Sequence, residues 1–338
     1  MRAVLVRDFG PIENACLADV SEPVAAPGEV SIAVHAAAVN YADLLVIAGR
    51  YQSRPQLPFI PGKGAAGLVI ATGGGVTRFH AGNRVFAWVE EGSYAETVVA
   101  PEQICYRLPA TMPFVDAAAL ALDYATAWFA LRDRARFHAG ETVLVLGASG
   151  AVGFAAVQLA KALGARVLAG VATPDKSDLA RLAGADTIIE LWCSDLRNGL
   201  REQVRTATNG EGADIILDPV GGEVFDAALR ALAWRGRMVV IGFAGGQIPT
   251  IKANYLLVKN IEVSGLQVSD YKSKAPEDVA RCFAELFELY EAGRLAPFVM
   301  ATYPLERFAD GLRQVQDRTV RRKIVLTPRA NTRREEPR

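Results

Sequence analysis

The sequence predicts an α/β protein in which a β-rich, barrel-like region precedes a doubly wound parallel sheet. Three observations lead to this prediction. The apolar strand pattern at residues 143–146 runs into a glycine-rich turn and a helix, and strand and helix patterns then alternate as far as residue 267. Roughly the first hundred residues hold short β-type runs that Gly and Pro clusters divide. With 338 residues, the chain is long enough for about two domains.

The turn after residue 146 carries a pattern typical of a dinucleotide site. Gly147 is followed by A-S-G-A-V-G, which places glycines where a backbone must approach a pyrophosphate and where a helix must pack tightly on a strand. Ala148 replaces the first glycine of the usual G-x-G-x-x-G frame, so the motif alone is weak. Its position at a helix N-terminus strengthens it, because such an N-terminus attracts phosphate. We therefore expect cofactor contacts from Ser149, Gly150, Ala151, Val152 and Gly153.

The end of the next strand, predicted at residues 166–170, indicates which dinucleotide binds. An acidic residue there would bind the ribose 2′-hydroxyl of NAD, but the run G-V-A-T-P-D-K at 170–176 places none at the strand end. Thr173 fits a helix N-cap and Lys176 follows within one turn. We expect Thr173 and Lys176 to bind a 2′-phosphate, so the predicted cofactor is NADPH. The alternative for Lys176 is a solvated helix lysine.

Composition and charge disfavour several other classes of function. The 37 basic and 37 acidic residues cancel, so no overall charge draws the chain to nucleic acid or to a membrane, and the expected partner is a small molecule. The cysteines lie far apart, which favours a reducing compartment over a disulfide framework or a thiolate metal cluster. The charged start of the chain fits no signal peptide, and we expect a cytoplasmic protein.

The first region is expected to form a β-barrel-like domain, with strands at residues 30–39, 67–71, 84–88 and 94–99. A short helix and loop at 40–51 stand between two of these strands, and their polar residues suggest the wall of a site. A helix over 117–135 then leads into the nucleotide-binding region.

Beyond residue 176 the alternation continues, and it predicts strands at 187–190, 214–218, 237–243 and 261–267. The pattern then changes to a long amphipathic helix at 276–290, a strand at 298–305, a helix at 306–315 and a strand at 323–327. These late strands have no parallel partner left, so we expect them to return to the first domain. The predicted organisation is 1–122 and 268–328 for that domain, 123–267 for the nucleotide-binding domain, and a disordered tail at 329–338.

Six runs along the chain carry a resemblance to a known family: AVNYAD at 38–43, LPFIPG at 57–62, GETVLVLG at 140–147, DPVGG at 218–222, VIGF at 240–243 and KIVLTP at 323–328. With these runs the chain resembles the zinc-independent, zeta-crystallin-like quinone oxidoreductases of the medium-chain dehydrogenase/reductase superfamily. The resemblance implies a GroES-like catalytic domain with a Rossmann nucleotide-binding domain. It also implies NADPH-dependent hydride transfer to quinones or other conjugated (α,β-unsaturated) carbonyls, usually by a homodimer. We expect the apolar strand at 261–267, last in the sheet, to pair across that dimer.

The zinc alcohol dehydrogenases of the same superfamily provide a contrast. Asn40 stands where those enzymes have a cysteine, and Lys63-Gly64 stands where they have His-Glu. The lobe that holds their structural zinc is also missing, so we expect no metal. A quinone or enone spreads the developing negative charge by conjugation, and positioning of the reactants can then carry most of the rate without a Lewis acid.

The resemblance also implies roles for single residues. Asn40 is expected to contact the nicotinamide ribose or the substrate oxygen, with turn capping as the alternative. Tyr51 is expected to orient or protonate the reduced oxygen, with packing as the alternative, and Asp43 is expected to hold the loop more than to take part in chemistry. Further cofactor contacts are expected from Thr126, Gly242, Phe243 and Gly265.

Two other functions remain open. An enoyl-thioester (enoyl-CoA type) reductase of the same superfamily would share the cofactor site. A non-enzymatic NADPH-binding or RNA-binding role, known for lens members of the family, would show nucleotide binding without turnover. The balanced charge disfavours the RNA-binding role.

Overall fold

The computed structural model describes residues 1–317 and 323–329, so the predicted disordered tail lies outside the described residues except for Arg329. The chain divides into two compact units. Unit 1 comprises Met1–Leu122, Lys272–Phe287 and Ala296–Arg338, and unit 2 comprises Asp123–Tyr271 and Glu288–Leu295.

The described chain contains both β-strands and α-helices. In chain order the strands are β1 Arg2–Val6, β2 Ala15–Asp19, β3 Glu29–Val39, β4 Ala65–Thr72, β5 Arg84–Ala87, β6 Thr97–Pro101, β7 Cys105–Arg107, β8 Thr142–Leu146, β9 Arg166–Val171, β10 Thr187–Glu190, β11 Ala213–Asp218, β12 Leu232–Val240, β13 Glu262–Gly265, β14 Val299–Pro304 and β15 Lys323–Thr327. The helices are α1 Tyr41–Ile47, α2 Phe114–Trp128, α3 Ala151–Ala162, α4 Ser177–Leu182, α5 Leu196–Ala207, α6 Gly222–Leu229, α7 Ala253–Lys259, α8 Tyr271–Lys274, α9 Pro276–Glu291 and α10 Phe308–Gln316.

Unit 1 is built on a sheet with the strand order β14-β15-β3-β4-β5-β7, in which β6 also pairs with β3. Strands β14 and β15 pair in parallel, whereas the other described pairs along this path, including β15 with β3, are antiparallel. The late strands therefore belong to the sheet of unit 1. Helix α9 is amphipathic, and its buried Val279, Cys282, Phe283 and Leu286 follow the helical repeat.

Unit 2 is built on a six-stranded parallel sheet with the order β10-β9-β8-β11-β12-β13. This is the order of a Rossmann fold, in which the strand order reverses between β8 and β11. All four residues 143–146 of β8 are fully buried, as expected of a strand covered on both faces. The predicted fold class, a GroES-like β-barrel domain with a Rossmann domain, is confirmed.

Several predicted boundaries differ from the structure. The predicted helix at 117–135 is α2, which starts at Phe114 and continues as one wider π-helical turn, Phe129–Arg134. The strand predicted at 237–243 starts earlier, at Leu232, and ends at Val240, because Val240 is the last residue that pairs with β11 and β13. The strand predicted at 261–267 is shorter, because only Glu262–Gly265 pairs with β12.

One continuous helical stretch of the described chain, Phe114–Arg134, is long and apolar enough to cross a membrane by composition. However, 78% of its most apolar window is buried inside the protein. Packing within the fold therefore accounts for its hydrophobicity.

Candidate functional site

The glycine-rich turn of unit 2 joins β8 to α3. Gly147 adopts a left-handed φ of 60°, and Gly150 is the N-cap of α3. A Cβ on Gly153 would lie 2.1 Å from the carbonyl oxygen of Gly147, which no side chain can do without moving the backbone. Gly150 and Ala151 are exposed, so the first backbone groups of the helix face solvent. This geometry suits an anion at the N-terminus of α3.

Ala172 and Thr173 follow β9, at the position where an acidic side chain would bind the ribose of NAD. Thr173 occupies the N-cap position of a short 3-10 turn, Pro174–Lys176, but its hydroxyl makes no capping hydrogen bond. That hydroxyl oxygen is buried and finds no hydrogen-bond partner among the described residues. Lys176 is partly exposed on the same turn. A buried hydroxyl and an ammonium therefore stand within three residues of each other along the chain, after a strand of the parallel sheet.

The same edge of the sheet holds three further predicted cofactor contacts, Gly242, Phe243 and Gly265, together with the carboxylate of Asp218. Asp218 ends β11, and its fully buried carboxylate accepts hydrogen bonds from the N–H groups of Val220 at 2.8 Å and Gly221 at 3.0 Å. Burial raises the pKa of Asp218, in spite of those two bonds. Gly242 and Phe243 follow β12, and Gly265 is the last residue of β13. A Cβ on Gly265 would meet open space.

Thr126, another predicted cofactor contact, lies on α2 within unit 2 and is buried.

An open cleft of about 730 Å³ lies in the same unit near the first turns of α5 and α6, between Ser194 and the loop that holds Ile248. This cleft is lined by other residues than those predicted to bind the cofactor.

Asn40 of unit 1 is the N-cap of α1 and is buried. Its backbone N–H bonds the Asp43 carboxylate at 2.8 Å, and its side-chain nitrogen bonds Ala38 O at 3.2 Å and Asp43 Oδ2 at 3.1 Å. Its side-chain oxygen accepts a 2.6 Å hydrogen bond from Lys323 Nζ. Both polar atoms of the Asn40 side chain thus have partners within unit 1.

Asp43 is also buried and accepts a 2.8 Å hydrogen bond from the Tyr94 hydroxyl. Burial raises the pKa of this carboxyl, against the hydrogen bonds from Asn40 and Tyr94 and the charge of Lys63. Its second oxygen finds no hydrogen-bond partner within the described chain. These contacts join Asp43 to Asn40 and Tyr94, and its role in holding the loop stays a prediction.

Tyr51 lies under an ammonium group that sequence reasoning did not connect with it. Lys63 Nζ stands 4.3 Å from the centre of the Tyr51 ring and forms an ion pair with Glu90. Lys272 pairs with the other oxygen of the same carboxylate. Burial acts to raise the pKa of Glu90, but the charges of Lys272 and Lys63 outweigh it and lower that pKa. The only sequence signal for this cluster was a lysine between two glycines, in the loop that joins α1 to β4.

The positions that hold metal ligands in the zinc relatives have a different chemistry here. Gly64 adopts a φ of 145°, and a Cβ there would lie 2.7 Å from the Phe86 ring, so this loop requires glycine. Lys63 brings an ammonium, which repels a cation. Within residues 1–317 and 323–329, no three His, Cys, Asp or Glu side chains gather as a metal site.

Two family models match the chain. The Alcohol dehydrogenase GroES-like domain matches residues 26–110, and the Zinc-binding dehydrogenase domain matches residues 151–286. The second match places a nucleotide-binding domain over α3 and the strands that follow it.

Individual proteins show the same likeness. Quinone oxidoreductase-like protein 2 of Bos taurus is 36% identical over 302 residues, which cover 89% of this chain and 85% of that protein. The structure of Escherichia coli quinone oxidoreductase complexed with NADPH superposes with a TM-score of 0.87 at 27% identity, and covers 97% of this chain and 100% of that chain.

A phthioceranic/hydroxyphthioceranic acid synthase of Mycobacterium tuberculosis is 32% identical over 95% of this chain, which spans only 15% of the synthase.

The two family models and the quinone oxidoreductase relatives agree with the glycine-rich turn and the two-unit fold. Together they show that the chain belongs to the zinc-independent quinone oxidoreductase-type family of the medium-chain dehydrogenase/reductase superfamily.

Proposed function

We propose that this protein is an NADPH-dependent reductase that transfers hydride to quinones or other conjugated carbonyls without a metal. The observation that carries the proposal is the close approach of Gly153 to the carbonyl of Gly147, which leaves no room for a side chain and is typical of a dinucleotide-binding turn at the start of α3. The NADPH complex of the Escherichia coli relative supports the choice of cofactor.

Two features of unit 2 fit the cofactor. Backbone N–H groups at the start of α3 would bind the pyrophosphate, since Gly150 and Ala151 are exposed there. The Thr173 hydroxyl, which has no partner among the described residues, and the Lys176 ammonium would bind the 2′-phosphate, which an acidic residue at this position would repel. When bound, NADPH supplies the hydride.

Residues of unit 1 would bind and orient the acceptor. The Tyr51 phenol can donate a hydrogen bond to an oxygen that gains negative charge during reduction. Asn40 and Asp43 would keep the N-terminus of α1 and the loop after it in place, because their polar atoms bond each other and Lys323. A conjugated acceptor needs no stronger electrophile, since its own π-system spreads the charge.

An acceptor panel tests the proposal. NADPH oxidation is followed optically with naphthoquinone, phenanthrenequinone, a simple enone and crotonyl-CoA, in buffer with and without a chelator. We expect turnover of the quinones or the enone, unchanged by the chelator. Binding of NADPH without turnover of any acceptor would instead support the non-enzymatic role.

An enoyl-thioester reductase is the second candidate. The observation that favours it is the match to a segment of an acid synthase, since that match covers 95% of this chain. Crotonyl-CoA turnover with a kcat/KM above that of every quinone would select this candidate.

A further inference from the structure

Lys63 has a side chain that is only 4% exposed, and its backbone is tightly constrained on both sides. A Cβ on Gly62 would lie 2.2 Å from Ser93 Oγ, and Gly62 has a φ of 104°. Gly64 lies against the Phe86 ring in the same way. The loop therefore holds Lys63 in one place, which is how a positioned functional group is held.

The ammonium of Lys63 shares its ion-pair partner with a second lysine. Glu90 shares its two carboxylate oxygens between Lys63 and Lys272. Burial raises the pKa of the neighbouring Asp43 and Glu91, and the charge of Lys63 acts in the opposite direction on both carboxyls. The Glu90 carboxylate is therefore shared by two ammonium groups, and only one of these stands over Tyr51.

The two lysines differ in the ring that each one meets. Lys63 stands over the face of Tyr51 at 4.3 Å, whereas Lys272 stands over Trp88 at 5.5 Å and also bonds the Trp88 carbonyl at 3.3 Å. The charge of Lys63 therefore acts on a phenol, and that of Lys272 acts on an indole. Ion pairing with Glu90 is common to both and does not explain why Lys63 lies on the tyrosine.

We propose that Lys63 is a positioning residue for Tyr51. Its ammonium holds the phenol ring and makes the hydroxyl a stronger hydrogen-bond donor to an oxygen that becomes negative. The proposal rests on the proposed function. A quinone that accepts the hydride of NADPH at one oxygen becomes a hydroquinone monoanion, because the hydride's electron pair forms the new O–H bond and the negative charge moves to the other oxygen. A proton from solvent then completes the hydroquinone, and the cofactor is left as NADP⁺. Tyr51 stabilises the anionic oxygen and keeps its own proton in the net reaction.

A double-mutant cycle tests the dependence on Tyr51. Lys63→Met should lower kcat for a quinone about tenfold, as expected for loss of a desolvated cation–π contact, and should leave the KM for NADPH unchanged. In the Tyr51→Phe background the same substitution should change kcat less than about twofold, because the hydroxyl through which it acts is gone. Lys63→Arg should recover most of the lost kcat.

Lys272→Met is the matched control, since it removes the other partner of Glu90 and leaves Tyr51 untouched; its kcat should stay close to that of the wild type. Fluorine NMR on protein labelled with fluorotyrosine adds a measurement that needs no turnover. The Tyr51 signal, assigned with Tyr51→Phe, should shift in Lys63→Met and stay in place in Lys272→Met.

Three results would overturn the proposal: kcat losses that add in the double variant, an equal loss in Lys272→Met, or an unmoved Tyr51 signal. A wild-type protein that turns over no acceptor contradicts the proposed function. In that case a shifted fluorine signal would still support the contact between Lys63 and Tyr51.

Discussion

Lys323 donates a 2.6 Å hydrogen bond from its ammonium to the side-chain oxygen of Asn40, although 283 positions separate the two residues. The bond joins β15 to the N-cap residue of α1. Both residues are buried, so this hydrogen bond satisfies two polar groups inside unit 1.

Removing the ammonium should therefore destabilise the protein. Lys323→Met leaves the buried Asn40 oxygen without this donor, and we expect a loss of about 1–3 kcal/mol in the free energy of unfolding, measured by urea denaturation. Lys161→Met is the control, since Lys161 forms a surface ion pair with Asp186 and should cost less than about 1 kcal/mol. Equal losses in the two variants would show that the Lys323–Asn40 bond contributes little.

The glycine-rich turn should not tolerate a side chain at residue 153. Gly153→Ala places a methyl group 2.1 Å from Gly147 O, which pushes α3 away from β8. We expect the Kd for NADPH, measured by fluorescence titration, to rise about tenfold or more because the phosphate-binding backbone moves. Gly74→Ala is the control, because a Cβ there meets open space. Unchanged affinity in Gly153→Ala would argue against this turn as the pyrophosphate site.

Cofactor choice should depend on Lys176. Charge-assisted hydrogen bonds to a 2′-phosphate contribute about 1.5–3 kcal/mol each before screening, so NADPH should exceed NADH about tenfold or more in kcat/KM. Lys176→Ala should erode this ratio by weakening NADPH alone, and Lys161→Ala should leave it unchanged. If the wild type uses both cofactors equally, or if Lys176→Ala weakens both alike, this lysine does not select the cofactor.

The Glu90 ion pairs should make stability depend on pH. The pKa of Glu90 lies below its ordinary value of 4.5, so the ion pairs stabilise the protein above that value and lose their effect as the pH falls through the lowered pKa. Glu90→Gln should therefore cost about 2 kcal/mol at neutral pH, discounted for the partial exposure of Glu90, and progressively less in acid.

Glu91→Gln should change the free energy of unfolding in the opposite direction. Burial raises the pKa of Glu91, so its charged form is unfavourable in the folded protein, and the substitution should gain rather than lose stability as the pH rises. Urea denaturation of both variants at several pH values makes the comparison. A loss in Glu90→Gln that stays constant with pH would contradict the ion-pair explanation.

We expect a homodimer that forms through the edge of the sheet in unit 2. Strand β13 ends that sheet, and the nearby α7 carries Leu257 and Val258 with 78% and 73% exposure. Leu257→Glu should give a monomer in light scattering at micromolar concentration, whereas Leu182→Glu, at a 61% exposed position on α4, should leave the dimer intact. A wild-type monomer at that concentration would exclude this interface.

The sequence by itself determined the features that depend on neighbours along the chain. The buried pattern of β8, the glycines that follow it and the regular alternation of strand and helix are local signals, so they predicted the parallel sheet and the position of the dinucleotide turn. The lack of an acid at the end of β9 was equally legible in the sequence, because the cofactor-selecting residue of this fold stands at a known distance from the turn.

Only the tertiary structure decided which distant side chains meet. Glu90 lies 27 positions from Lys63 and 182 from Lys272, and no periodicity links such positions. The pairing of β15 with β3 brings Lys323 to Asn40, so the side-chain oxygen of Asn40 is bonded within unit 1. Strand ends also shifted, because pairing with a neighbour, not propensity, sets where a strand stops. Long-range packing thus decided the electrostatics of unit 1, since charges act through space and the sequence orders residues only along the chain.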